Sequence, residues 1–269
     1  MSGSIDIDPS HSALLIVDMQ PDFMPGGALP VQGQVSHQAE IVGPIRVLME
    51  ARIFDVQVAT QDWHPRGHAS FASSHPGRHA FDVIKLHGHD QTLWPDHCLQ
   101  DADGARLHRD LDLTPVSAII RKGTEPDVDS YSGFRNNWNA DGERPPTGLA
   151  GYLRERGIDR VFCCGLARDV CVKWTAEDGV NDGFETFFIW DLTWPVDPDN
   201  DRQVRAELQS KGVHIVVADQ LARSSSQTPE TASRTPGVST AAARRDVLRH
   251  ARNDESHARG RPRLRARRR

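Results

Sequence analysis

Cysteine, tyrosine and long apolar runs are all scarce in this chain. Four cysteines in 269 residues, three of them inside the stretch "VFCCGLARDVCVKWTAEDG" at 161–179, form neither a paired C-x-x-C zinc pattern nor a dense disulfide framework. The longest uninterrupted apolar run, Ala13 to Val17, is far short of the roughly 20 residues that cross a bilayer. No basic segment followed by an apolar one opens the sequence. The expectation is a cytoplasmic protein with reduced thiols and no membrane partner.

Negative charge is sparse at the end of the chain. From Ala222 onward thirteen Arg face four Asp or Glu, a net +9, which leaves −14 on residues 1–221 out of a total of −5. The segment 222–269 is rich in Ser, Thr, Pro and Arg and poor in large apolar residues, so it is expected to be a disordered tail after a single domain over 1–221. An Arg-rich end can grip phosphates. Without interleaved aromatics or a recognisable motif, no specific nucleic-acid partner is expected.

What the first 221 residues do contain is a rhythm. Compact apolar runs recur at 12–17, 53–60, 117–122, 160–166, 185–190 and 213–219, each bounded by polar residues or glycine. Runs of this length and composition read as strands covered on both faces of a parallel sheet. Amphipathic stretches at 34–50, 146–156, 170–181 and 199–211 read as helices between them. The fold class is therefore α/β: a doubly wound, mainly parallel, six-stranded sheet with helices on both faces. Residues 63–110 break the rhythm with His, Trp, Pro and Gly. A loop that long is usually functional.

In such sheets ligands bind outside the carboxyl ends of the strands. Those ends carry Asp18, Asp62, Lys122 and, one turn beyond the fourth strand, Cys171. An acid, a second acid, a cation and a thiol at one rim can supply a base, an electrostatic partner and a nucleophile. Cys163 and Cys164 lie inside an apolar run and read as packed core thiols; Cys98, in "WPDHC", is a ligand or a packed thiol. Asp169 reads as the N-cap of the next helix. That places Cys171 in a first turn, where free N–H groups favour a thiolate and can hold an oxyanion.

"QDWHPRGH" brings Asp62, His64 and His68 close in sequence, and "WPDHC" adds His97. An acid and a histidine two apart on an extended strand share a face, and a third donor from a distant loop closes a site with room for another ligand. The mixed O/N set Asp62, His64 and His97 suits a divalent metal: Zn, Mn or Fe(II).

Five blocks, "LLIVDMQPDFMPGGALPV", "ATQDWHPRGHASFAS", "TLWPDHCLQ", "RKGTEPDVDSYSGF" and "CCGLARDVCVKWTAEDG", occur in order between about residues 11 and 219. Together they resemble the nicotinamidases (pyrazinamidases) of the isochorismatase-like cysteine hydrolases. The resemblance implies Asp18, Lys122 and Cys171 as a catalytic triad. It also implies a cis peptide between Leu166 and Ala167, and an oxyanion hole made by the Ala167 and Cys171 amides. It implies that Asp62, His64 and His97 hold the metal, with His68 a ligand in only some members, and that the substrate's ring nitrogen coordinates it. Phe23, Trp94 and Tyr131 match ring-packing positions, although Phe23 and Trp94 also read as ordinary core aromatics. Arg168 stands where threonine is common, and Val170 where some members carry histidine.

The implied partner is nicotinamide, hydrolysed to nicotinate and ammonia, with pyrazinamide a second substrate. An N-carbamoyl or ureido amidohydrolase is the nearer alternative, though such relatives generally lack the Asp–His–His set. A catalytically silent domain with a nucleic-acid-binding tail is the more distant one. Oligomeric state is left open, a homo-oligomer included.

Overall fold

The computed structural model describes residues 4–31 and 41–223. The expected tail therefore lies outside the described residues except for Ala222 and Arg223, as does the start of the helix expected from residue 34. The order of elements is β1 (Ile5–Ile7), β2 (Ser12–Val17), α1 (Val42–Glu50), β3 (Val56–Asp62), β4 (Val83–Leu86), β5 (His89–Thr92), β6 (Val116–Lys122), α2 (Leu149–Arg154), β7 (Arg160–Leu166), α3 (Lys173–Asn181), β8 (Glu185–Trp194), α4 (Asp201–Ser210), β9 (His214–Val216) and β10 (Leu221–Arg223).

Six strands form one sheet in the order β6-β3-β2-β7-β8-β9, and every pairing in it is parallel. The central strand β2, "SALLIV", is buried along its whole length, as a strand with neighbours on both edges and helices on both faces must be. Its side chains alternate between two cores. Leu14 and Ile16 face a cluster that includes Ile45 and Met49 of α1, whereas Ala13, Leu15 and Val17 face Leu149 of α2, Ala176 of α3 and Leu208 of α4. Among the described residues one helix thus covers one face and three cover the other. Each fully buried Leu or Ile side chain contributes about 1.5–3 kcal/mol to that sandwich.

The alternation also separates the adjacent thiols. Cys164 lies in the first cluster and Cys163 in the second, both fully buried. All four cysteines are free. Cys98 is packed as well, fully buried in the first cluster.

Two pairings were not expected from the periodicity. Strand β1 pairs with β10 across nearly the whole described sequence, Ile5 opposite Leu221 and Ile7 opposite Arg223. A hairpin, β4–β5, sits inside the long 63–110 segment. Strand β8 is longer than its apolar run and slips in register: Cys163 pairs with Phe188, but Gly165 pairs with Thr193. No described helix is long and apolar enough to cross a membrane.

Candidate active site

The chain runs outward from β2 to β3 and β6, then returns to the other side of β2 as β7, so strand order reverses between β2 and β7. That reversal opens a crevice at the carboxyl ends of the two strands. Lys122, Asp62, Asp18 and Cys171 follow or close β6, β3, β2 and β7, four consecutive strands of the sheet. All four residues are buried. Gly165 lets β7 close on β2 here: at φ +110°, a Cβ would lie 2.1 Å from the Val17 carbonyl oxygen.

Asp18 leaves β2 with φ +44°, a left-handed conformation that Asp tolerates better than most residues. Thr60 fixes it twice. Its Oγ accepts the Asp18 amide at 3.1 Å and donates to Asp18 Oδ1 at 2.6 Å. The other oxygen, Oδ2, is 2.8 Å from Lys122 Nζ as an ion pair but has no aligned hydrogen bond. Lys122 Nζ also donates to Asp62 Oδ1 at 2.6 Å, to the Ser130 carbonyl at 3.0 Å and toward Cys171 Sγ at 3.6 Å. Cys171 Sγ lies within 4.8 Å of an Asp18 carboxylate oxygen.

Burial and charge set the protonation pattern. Burial opposes the Lys122 ammonium, but Asp18 and Asp62 hold it well above the ordinary lysine range. Burial pushes Asp18 up, only partly offset by Lys122. Burial pushes Asp62 up as well, yet Lys122 and then His64 outweigh it and hold that carboxyl well below its usual value. The Cys171 thiol is pushed well above its ordinary value by burial, which exceeds the pull of Lys122. Desolvation thus works against the thiolate that a helix start favours.

Cys171 sits in a single π turn, Arg168–Val172, that leads into α3. The peptide between Leu166 and Ala167 is cis. Ala167, not Asp169, occupies the capping position, and its carbonyl accepts the Val170 and Val172 amides. The Asp169 carboxylate is turned away, accepting the amides of Val196 and Asp197. A long-range loop thus takes the carboxylate that local spacing assigned to the cap.

Asp62, His64 and His97 bring their donor atoms within 4.8 Å of one another, all buried. His64 Nδ1 donates to the Gly123 carbonyl at 3.0 Å and His97 Nδ1 to the Pro95 carbonyl at 2.8 Å. Each ring is thereby held with Nε2 toward Asp62 Oδ2, at 3.4 and 3.6 Å. Orienting contacts of this kind on the far ring nitrogen accompany metal-ligating histidines, and the donor set fits a divalent metal. His68 lies beside this set, its ring centroid 4.4 Å from that of His64. Its Nδ1 accepts the Ser70 amide at 3.2 Å and lies 2.7 Å from the Ser70 hydroxyl, and Nε2 lies 3.3 Å from the Val128 carbonyl. With His64 and Asp129, His68 forms a second buried group whose donor atoms lie within 4.8 Å of one another.

Between thiol and histidines is a pocket of about 340 Å³, counting its open mouth. Phe23, Trp94 and Tyr131 wall it as expected, together with Leu29, Val170 and Val196. Trp94 and Tyr131 meet edge to face, and the Tyr131 hydroxyl accepts from Gln91 and Trp94. Sequence reasoning missed Thr60, Asp129, Leu29 and Val196. Thr60 was reachable, being two residues before Asp62 on the same strand; Asp129 stands two before Tyr131. Nothing local marks Leu29 or Val196.

A doubly wound α/β sheet with a thiol, a carboxylate and an ammonium at its switch point, beside an Asp–His–His donor set, defines the architecture of a thiol-dependent hydrolase. The chain belongs to the isochorismatase domain family, which it matches over residues 12–220. It is 45% identical over 208 residues to a nicotinamidase of Acinetobacter baylyi, an alignment covering 77% of this chain and 92% of that one. The solved Acinetobacter baumanii nicotinamidase/pyrazinamidase superposes with a TM-score of 0.71 at 42% identity, covering 78% and 97% of the two chains. A Pyrococcus horikoshii pyrazinamidase, solved in complex with zinc, superposes with a TM-score of 0.61 at 35% identity, covering 77% and 99%.

Proposed function

We propose that this protein hydrolyses nicotinamide to nicotinate and ammonia, as a thiol amidohydrolase that also accepts pyrazinamide. The observation that carries the reading is the buried Asp18 Oδ2, which has no aligned hydrogen bond among the described residues and stands beside the Cys171 thiol and the Lys122 ammonium. A carboxylate whose basicity is raised by burial is suited to take the thiol proton.

In the proposed sequence, Cys171 Sγ attacks the amide carbon as its proton passes to Asp18. The amides of Ala167 and Cys171 receive the developing oxyanion. Collapse breaks the C–N bond, Asp18 returns its proton to the departing nitrogen, and ammonia leaves a thioester on Cys171. Water then attacks the thioester while Asp18 takes its proton and returns it to the sulfur, releasing nicotinate. Lys122 remains charged throughout and holds Asp18 against the thiol. Phe23, Trp94 and Tyr131 pack the ring. Asp62, His64 and His97 would hold a divalent metal, zinc among the candidates, which supplies a Lewis acid for the ring nitrogen and so fixes the carboxamide at the thiol.

The test is ammonia release from nicotinamide by metal-loaded protein, run beside a ureido substrate. Turnover of nicotinamide with none of the ureido compound is expected. The reverse preference would replace this reading with the ureido amidohydrolase one.

A further inference from the structure

Arg168 is a cation with only 6% of its surface exposed, and it touches nothing in the pocket. A buried guanidinium persists only where its donors are met. Here Nε donates to Thr193 Oγ1 at 2.9 Å, Nη2 to the Thr193 carbonyl at 2.6 Å and the Trp190 carbonyl at 3.4 Å, and Nη1 to Asp201 Oδ2 at 2.6 Å. Its carbon lies 4.3 Å from the centroid of the Trp190 ring. These partners bracket the place where β8 slips against β7. The next residue grips the same region, since Asp169 accepts the amides of Val196 and Asp197 at 2.8 and 2.9 Å.

Two consecutive side chains thus fasten the turn that carries Cys171 to the end of β8, to the start of α4 and to the segment bearing the pocket-wall residue Val196. We infer that Arg168 and Asp169 are positioning residues, a clamp that holds the Cys171 thiol and the Ala167 and Cys171 amides in register with the bound amide. The inference rests on the thiol-amidase reading above. The Arg168 arm is held by Thr193, Trp190 and Asp201, none of which lines the pocket, so it acts on the geometry of attack rather than on ground-state binding of the ring. A misplacement of about 1 Å at such a turn costs on the order of 100-fold in rate.

The variant that tests this is Arg168→Met, which keeps the length and removes the fork. Measured on folded protein of unchanged metal content, kcat for nicotinamide should fall on the order of 100-fold, with KM within about twofold. Two pyridine ligands separate positioning from mere loss of structure. The 3-aldehyde must be attacked by the thiol and placed in the oxyanion site, whereas nicotinate only fills the pocket. Aldehyde affinity should fall with kcat while nicotinate affinity holds. Asp201→Asn and Thr193→Val, each removing one arm, should move the same ratio several-fold in the same direction.

An aldehyde-to-nicotinate affinity ratio unchanged in folded Arg168→Met overturns the inference. Should that variant not fold, an unchanged ratio in both one-arm variants overturns it equally. Wild-type protein that releases no ammonia would remove the amidase reading itself. An active wild type with an unmoved ratio removes only the clamp.

Discussion

Asp62 and Lys122 are register partners at the carboxyl ends of the adjacent parallel strands β3 and β6, and their side chains meet at 2.6 Å. The same ammonium is 2.8 Å from Asp18. One buried cation is therefore shared between the carboxylate of the donor set and the carboxylate beside the thiol. Lys122→Met strands Asp18 without a counter-charge and leaves Asp62 with the histidines alone, and breaking a buried pair in this way typically costs about 3–5 kcal/mol. The expected result is loss of turnover together with a lowered urea midpoint, read by denaturation of the metal-free protein. A midpoint equal to wild type would show that the carboxylates do not depend on Lys122.

Asp18 makes a contrary contribution to stability. Its carboxyl is raised by burial, so the folded state holds the proton more tightly than the unfolded chain does. Whatever stability that supplies is present below the ordinary value of 3.8 and is lost as pH rises through the higher folded value. Asp62 is depressed, with the opposite sign: its contribution is present above 3.8 and is lost as pH falls through the folded value. Asp18→Asn should then remove activity while raising the thermal midpoint at pH 7, with the gain shrinking toward pH 4. A scan of melting temperature against pH decides it. A variant less stable than wild type at pH 7 would mean that the Lys122 pairing outweighs the desolvation of Asp18.

The thiols divide by surroundings. Cys163 and Cys164 are fully buried and pushed far above the ordinary thiol range by that burial. Cys171 lines the pocket. Iodoacetamide is expected to modify Cys171 first, with loss of activity in step, as followed by peptide mass spectrometry. Cys171→Ala should abolish turnover, whereas Cys163→Ala and Cys164→Ala should keep it at a stability cost of about 1 kcal/mol. Turnover by Cys171→Ala would end the nucleophile assignment.

Gly123 shapes the donor set from behind. At φ +63° an added Cβ would stand 2.4 Å from His64 Cε1, and its carbonyl is the group that orients that ring. Gly123→Ala should therefore turn His64 away and lower bound metal by about 10–100-fold in affinity, the range for lost orienting contacts. His64→Ala and His97→Ala should do the same. Elemental analysis after dialysis against a weak chelator is the measurement, and full metal content in Gly123→Ala would show that His64 does not need this contact.

The sequence was most legible where burial is symmetrical. Strands β2 and β7 coincide with their apolar runs because both faces of each are covered, so every residue carries the signal. It was least legible where pairing is short or distant. Strands β1 and β10 have three residues each, too few to show a period, and their partnership joins the two ends of the described chain. The site divides in the same way. Asp18, Asp62, Lys122 and Cys171 were visible because strand ends announce a rim, and the histidines because their residue types are distinctive. Asp169 was misplaced because capping chemistry is local, whereas the amides that claim its carboxylate lie 27 and 28 residues away. Arg168 gave no sign of its burial, since the partners that satisfy it come from β8 and α4.

The rim, donor-set and pocket residues named above all precede residue 224, and the Arg, Ser, Thr and Pro content of 224–269 offers little apolar surface to bury. The boundary suggested by composition, between 221 and 222, would cut through β10, whose Leu221 and Arg223 pair with Ile5 and Ile7. Ile7 is fully buried in the core cluster around α1. A chain ending at Arg223 should therefore match the full-length protein in nicotinamide turnover and thermal midpoint. A chain ending at Gln220 leaves β1 without its partner and should melt a few degrees lower, since about 1 kcal/mol moves the midpoint by roughly 2–4 °C at this size. Turnover at 25 °C should survive both cuts, because β1 and β10 form a sheet separate from the one that carries the rim residues. If the Arg-rich end has a role of its own, full-length protein should hold nucleic acid weakly, with steep salt dependence, and the Arg223 truncation should not. Loss of turnover on removing 224–269 alone would show that the segment belongs to the enzyme.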